Sequence, residues 1–153
     1  MIKYCLGKWD ENKDFLRKRL TNDHHVNNCD YDYLVKLVIE EILNRGVGSR
    51  KWQSDKIKQI DDGDYQGTLL FLIPENCYQP SETGYLMTFA NYGSCCCCDA
   101  LQAIQSYDDS DTPTEQQLRD YMALCKDIIT NTIKPYNYGW RYDEEFTEVT
   151  KGE

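Results

Sequence analysis

Half of the chain's eight cysteines stand side by side as Cys95, Cys96, Cys97 and Cys98, within the stretch YLMTFANYGSCCCCDALQ from Tyr85 to Gln102. An alternating apolar segment leads into Gly93-Ser94, the four thiols follow, and a helix-like pattern begins after them. The thiols therefore fall at a strand-to-helix corner, where phosphate loops, thiol redox motifs and metal knuckles are commonly built. With Ser94 as the N-cap, each residue advances about 100° around the helix axis. Cys97 then shares the apolar face of Leu101 and Ile104 and serves packing, while Cys96 points away. Cys95 and Cys98 fall within about 60° of one another, the arrangement of a C-x-x-C site. Unpaired N–H groups of a first helical turn would favour their thiolates, and the carboxylate of Asp99 would oppose that. A second arrangement competes with this one: Asp99 is itself the cap, Gln102 closes a capping box, and the four cysteines form the loop before it.

Three uses of the corner follow. The simplest is packing, with small polarisable side chains filling a tight turn. A zinc site needs four ligands, and Cys95 and Cys98 supply two. The loop DHHVNNCD holds His24, His25 and Cys29, so His25 and Cys29 would complete the set across space. Thiol redox chemistry needs only the pair, but a thioredoxin-like C-x-x-C follows the first strand of a βαβ unit, whereas the flanking pattern here is antiparallel.

Other chemistry is more thinly supported. Asp61/Asp62/Asp64 and Asp108/Asp109/Asp111 lack the Gly and Glu spacing of a calcium loop and read as turns and caps. The chain has no G-x-x-x-x-G-K-[ST], no G-x-S-x-G and no H-E-x-x-H. After Pro135, Tyr136, Tyr138, Trp140 and Tyr142 alternate as an aromatic ladder, expected to be a strand that packs on a helix or stacks a ligand. The candidate binding residues are thus Tyr92, Ser94, Cys95, Cys98, Asp99, Tyr138, Trp140 and Tyr142.

The elements that position these residues can be read in order. Asp10 is the expected N-cap of a first helix with Phe15, Leu16 and Leu20 inward. A second helix spans Tyr31 to Asn44, its broad stripe of Leu34, Val35, Val38, Ile39, Ile42 and Leu43 implying burial on more than one side and Gly46 ending it. Residues 52–60 fit either an edge strand or a short helix, since Ile57 and Ile60 lie three apart. Thr68 to Ile73 is a continuous apolar run closed by Pro74, expected to be a buried central strand. Tyr85 to Tyr92 alternates, with Tyr85, Met87 and Phe89 on one face and Leu86, Thr88 and Ala90 on the other, an antiparallel partner for the preceding strand. Ala100, Leu101, Ile104 and Tyr107 mark a helical face. Thr112-Pro113-Thr114-Glu115 then starts a helix with Thr112 as cap, running to about Ile133 with Leu118, Tyr121, Met122, Cys125, Ile129 and Ile133 inward. The expected fold is one α+β domain over 1–153: a small antiparallel sheet of three to four strands packed with about four helices, and an acidic C-terminal tail from about 143.

Composition bounds the function classes. A chain of 153 residues can bury a core without disulfide staples. The N-terminal stretch has no continuous apolar region and no small-residue cleavage site, so no signal peptide is expected, and no apolar run is long enough to span a membrane. The expected setting is a reducing cytoplasm. The formal net charge is −9. Residues 1–60 carry twelve Lys and Arg against nine Asp and Glu, whereas residues 61–153 carry five against seventeen. The acidic part repels nucleic-acid phosphates and lipid headgroups and favours a protein partner with a basic surface.

Tyr92-Gly93-Ser94-Cys95, Cys98-Asp99 and Leu101-Gln102 resemble the Y-G-S-C-x-x-C-D-x-L-Q segment of small uncharacterised proteins encoded by bacteriophages and prophages. The likeness covers about twenty residues strongly and Tyr65 to Tyr107 loosely. In that pattern the two residues between the outer cysteines are usually small, so Cys95 and Cys98 are the pair that matches it and Cys96 and Cys97 are departures. The resemblance implies a setting rather than a reaction: a bacterial cytoplasm during infection and an accessory gene product. The expected function is protein–protein binding without a cofactor, as an inhibitor of a host defence or nucleic-acid enzyme. The alternative is a cysteine-dependent protein, zinc-binding or redox-active, using Cys95 and Cys98.

Overall fold

The computed structural model describes residues 2–46, 52–64, 66–76 and 84–133. They form an α+β fold of four helices and a three-stranded antiparallel sheet. The expectations for Tyr136 to Tyr142 and for the acidic tail lie outside the described residues.

Helix α1 (Ile2–Thr21) starts a full two turns before Asp10, the expected cap. Tyr4, Cys5, Trp9, Asn12, Leu16 and Leu20 are buried at spacings of one, three and four residues, so a single stripe runs along the whole helix and carries it past Asp10. Phe15 is not inward as expected. It is 46% exposed, and the Arg45 guanidinium lies 3.9 Å from its ring centroid.

A short 3₁₀ turn (Val26–Asn28) leads to α2 (Tyr31–Val38), which widens without a break into a π turn (Ile39–Leu43). The widened turn closes where the Asn44 N–H donates to the Ile39 carbonyl at 2.9 Å, and the Asn12 amide of α1 donates to the Ile42 carbonyl at 2.9 Å. Leu37, Val38, Ile39, Ile42 and Leu43 are all buried, which is the burial on several sides that the broad stripe implied. Glu41 is buried among them, held by Arg19 at 3.0 Å and Arg45 at 2.8 Å. Gly46 ends the segment at φ 108°, a backbone conformation that costs glycine little. The Asn44 side chain then clamps Trp52, accepting its N–H at 2.7 Å and donating to its carbonyl at 2.9 Å.

In the sheet, β1 (Lys58–Asp61) pairs with β2 (Gly67–Pro74), and β2 with β3 (Tyr85–Tyr92), both antiparallel. Residues 58–61 are therefore the edge strand of the two readings open for 52–60. β2 is central but buried on one face only: Leu69, Phe71 and Ile73 point inward, while Leu70 and Leu72 are half-covered. On β3, Leu86, Thr88 and Ala90 face the core, as the alternation predicts. The Thr88 hydroxyl donates to the Ile128 carbonyl at 2.8 Å, which seats the sheet on α4 (Glu115–Thr130).

The remaining helix, α3 (Ala100–Gln105), is shorter than the pattern suggested, and Tyr107 is 67% exposed instead of inward. The cap of α4 is Thr114, not Thr112. Thr114 Oγ1 accepts the Gln117 N–H at 3.2 Å and Gln117 Oε1 accepts the Thr114 N–H at 3.0 Å, a complete capping box. Gln117 is fully buried, and its amide also donates to the Ile104 carbonyl at 3.0 Å, so the cap ties α3 to α4. Thr114→Ala is expected to lower stability by about 1 kcal/mol in urea denaturation, against less than about 0.5 kcal/mol for Thr112→Ala. Tyr121, Met122, Cys125 and Ile129 are buried as expected, together with Ile128, and Leu118 packs half-buried against them. Ile133 is instead 46% exposed and exchanges backbone hydrogen bonds with Met87 at 2.8 and 2.9 Å. Among the described residues no helix is long and apolar enough to cross a membrane.

Candidate functional site: a dithiol turn beside an acidic cleft

β3 ends at Tyr92, and the chain enters α3 through Asp99, which caps the helix. Ser94 is not the cap, so the arrangement in which the four cysteines form a turn ahead of Asp99 is the one adopted. Cys97 is accordingly exposed rather than packed with Leu101 and Ile104. The Asp99 side chain explains the choice. It is buried, and its oxygens accept the Gly93 N–H at 2.9 Å, the Gln102 N–H at 3.0 Å and the Tyr31 hydroxyl at 2.9 Å. Gln102 does not close a capping box: its amide donates to the Gly93 carbonyl at 3.1 Å. Asp99 and Gln102 therefore bracket Gly93 from both sides, and the cysteine turn is looped out between fixed ends.

Inside the turn, the Cys98 and Asp99 N–H groups both donate to the Cys95 carbonyl, at 3.1 and 3.0 Å. This single helical-type turn brings Cys95 Sγ and Cys98 Sγ to 3.2 Å. Gly93 is required by the fold-back, since a Cβ there would lie 2.5 Å from Cys98 Sγ and 2.6 Å from the Cys98 carbonyl oxygen. Hydrogen bonds from the Cys95 thiol, the Cys95 N–H at 3.4 Å and the Ser94 hydroxyl hold the Cys98 thiol below the ordinary thiol range. The neighbouring thiols Cys96 and Cys95 push Cys97 up. The described cysteines outside the turn are different in kind. Burial pushes Cys5 up to about 12, and burial together with the charges of Asp23, Asp30 and Asp32 pushes Cys29 up to about 12. Burial also raises Cys125, which is the core thiol the sequence predicts.

The four zinc candidates are not brought together. Among the described residues there is no group of three or more His, Cys, Asp or Glu placed to hold a metal ion. Cys29 lies against the far end of α3, where the Gln105 amide donates to its carbonyl at 2.8 Å. His25 is exposed, edge-on to the Tyr33 ring at a centroid separation of 6.4 Å, and His24 pairs with Asp111 at 2.5 Å. The aspartate clusters take turn roles: Asp61 accepts the Gly63 N–H at 3.0 Å, and Asp108 accepts the Ser110 N–H at 2.8 Å.

A cleft of about 430 Å³ adjoins the dithiol turn. It opens where the helices leave the inner face of β1 uncovered. Gln59 and Asp61 of β1, Leu69 of β2, Asp30, Tyr31 and Asp32 at the start of α2, and Gly93, Asp99 and Leu101 at the entry to α3 line it. Tyr92 lines it too, its hydroxyl donating to Asp61 at 2.6 Å. That bond, with the Gly63 N–H, lowers the Asp61 carboxyl, and it raises the Tyr92 phenol to about 12. Among the described residues, the lining of the cleft carries four aspartates and no lysine or arginine. Of the sequence candidates, Tyr92, Ser94, Cys95, Cys98 and Asp99 thus share one corner, while Tyr138, Trp140 and Tyr142 lie outside the described residues. Asp30, Asp32, Gln59 and Asp61 were not singled out as a binding set. Their only sequence signal is carboxylate density at the start of α2 and the end of β1, which the fold brings to one cleft. Comparison of the chain with family models, curated proteins and solved structures returns no match.

Proposed function

We propose that the chain is a small acidic bacteriophage or prophage accessory protein that acts in the bacterial cytoplasm by binding a basic surface of a host protein, inhibiting a defence or nucleic-acid enzyme. The observation that supports this reading is the cleft lined, among the described residues, by four aspartates and no cationic side chain. A lysine or arginine side chain entering it meets the exposed carboxylates of Asp30 and Asp32, whereas a phosphate is repelled. The strongly acidic composition of residues 61–153 adds long-range attraction for a cationic partner and speeds encounter.

The reading is tested with a fluorescent arginine-rich peptide in anisotropy titrations. Binding is expected at low salt, should weaken steadily as salt is added, and should fall about tenfold in an Asp30→Asn/Asp32→Asn variant. Both aspartates are exposed, so the substitutions leave the core alone. Binding that ignores ionic strength, or equal binding of an acidic control peptide, overturns the cleft as the binding element. A pull-down from bacterial lysate that returns no partner at low salt removes the host protein from the proposal.

A further inference from the structure

The cysteine turn has a geometry that binding through the cleft does not use. Cys95 and Cys98 are both exposed, and their sulfurs are 3.2 Å apart. The turn is fixed at both ends, by Asp99 and Gln102 on Gly93 and by the Cys98 and Asp99 N–H groups on the Cys95 carbonyl. Gly93 leaves room for Cys98 Sγ where any other residue would fill it. Cys98 Sγ accepts the Cys95 N–H at 3.4 Å and lies 3.2 Å from the Cys95 thiol and 3.9 Å from the Ser94 hydroxyl, both able to donate to its thiolate; as a thiol it donates to the Cys95 carbonyl at 3.4 Å. The Asp99 carboxylate is turned inward onto Gly93, Gln102 and Tyr31, so its oxygens are spent on the frame of the turn.

We propose that Cys95 and Cys98 are a redox-active dithiol that exchanges with accessible aliphatic disulfides, Cys98 attacking first and Cys95 resolving. The Cys98 thiolate attacks one sulfur of the disulfide RSSR, forming a Cys98–S–S–R bond. The S–S bond of RSSR breaks and RS⁻ leaves with the proton that Cys98 gave up. The Cys95 thiolate then attacks Cys98 Sγ, forming the Cys95–Cys98 disulfide as the mixed S–S bond between Cys98 and R breaks, and the second RS⁻ leaves and takes the Cys95 proton. The dithiol loses two electrons and the disulfide gains them as two thiols. Donors around Cys98 stabilise the thiolate that starts the sequence, and the 3.2 Å approach of Cys95 places the resolving sulfur beside it. Cys96 and Cys97 are exposed in the same turn, but neither sulfur has this set of donors among the described hydrogen bonds.

The test uses glutathione disulfide as the probe and the full reduced chain. Timed samples are quenched with an alkylating agent and mapped by peptide mass spectrometry. The wild type is expected to yield a Cys95–Cys98 disulfide, and Cys95→Ser to accumulate glutathione on Cys98. Cys98→Ser should lower the initial rate about tenfold, whereas a Cys96→Ser/Cys97→Ser variant should keep both rate and product. Gly93→Ala removes no thiol but displaces Cys98, and should slow ring closure more than the first attack. The wild-type map needs no variant to fold. A product linking other cysteines, glutathione trapped on Cys96 or Cys97 in Cys95→Ser, or an unchanged rate in folded Cys98→Ser overturns the proposal. The result does not depend on the charge of the cleft, so it stands or falls apart from peptide binding.

Discussion

Asp99→Ala is expected to destabilise the protein by about 3 kcal/mol, read as a shift in the midpoint of urea denaturation at unchanged slope. The side chain is buried and accepts three hydrogen bonds, from the Gly93 and Gln102 N–H groups and the Tyr31 hydroxyl. Truncation leaves three donors without their common acceptor, and it removes the cap of α3. Tyr31 is the most exposed to the loss, because its hydroxyl also accepts the Leu101 N–H at 3.3 Å and thus fixes α2 to α3. Asp99→Asn keeps the shape but replaces one acceptor with a donor, which must face either an N–H or a hydroxyl. It should fall between the wild type and the alanine variant. A midpoint unchanged in Asp99→Ala would mean that Gly93, Gln102 and Tyr31 find other partners.

Tyr121→Ala should cost more, about 4 kcal/mol, a large part of the stability an ordinary domain has. Tyr121 is fully buried on α4, and its hydroxyl donates to Asn27 Oδ1 at 2.7 Å with the Val26 carbonyl at 3.2 Å. The alanine leaves a ring-sized cavity between α4 and the 3₁₀ turn and takes the tyrosine donor from Asn27 Oδ1, whose amide still donates to the Ser110 carbonyl at 2.7 Å. Tyr121→Phe separates the two contributions: it keeps the ring, loses the hydroxyl, and is expected to cost about 1 kcal/mol. Near-equal losses for the two variants would show that the hydrogen bond, and not the packing, holds the turn on α4.

How much of this was legible in the chain depends on how local each decision is. β2 and β3 were readable because an apolar run and a strict alternation, each closed by turn residues, leave few other conformations. The start of α1 was not, because Gly7 and the lysines at 3 and 8 dilute a stripe that only the burial of Tyr4, Cys5 and Trp9 makes evident. Two caps were misassigned or left open for the same physical reason. Ser94 and Asp99 are both good caps by type, and Thr112 and Thr114 are the same residue. What decides is a partner beyond the cap itself: Tyr31 and Gly93 for Asp99, and for Thr114 the Gln117 side chain, which also reaches the Ile104 carbonyl. The two thiols that the spacing paired do lie 3.2 Å apart, although the turn that joins them is not the helix from which that spacing was argued. The cleft was not legible beyond a density of carboxylates, since its lining comes from segments about thirty residues apart that only the fold brings together.

The π turn at Ile39–Leu43 makes the chain's length in this region a quantity the fold measures. One residue fewer between Val38 and Asn44 would let an ordinary α-helix close, but every later side chain would be turned by about 100°. Asn44 would leave Trp52, Arg45 would leave both Glu41 and the Phe15 ring, and the Ile42 carbonyl would turn from Asn12. The extra residue in the wide turn is thus a phase correction. It lets a helix that must bury several faces hand the chain on to the sheet at the one rotation where those four contacts close together.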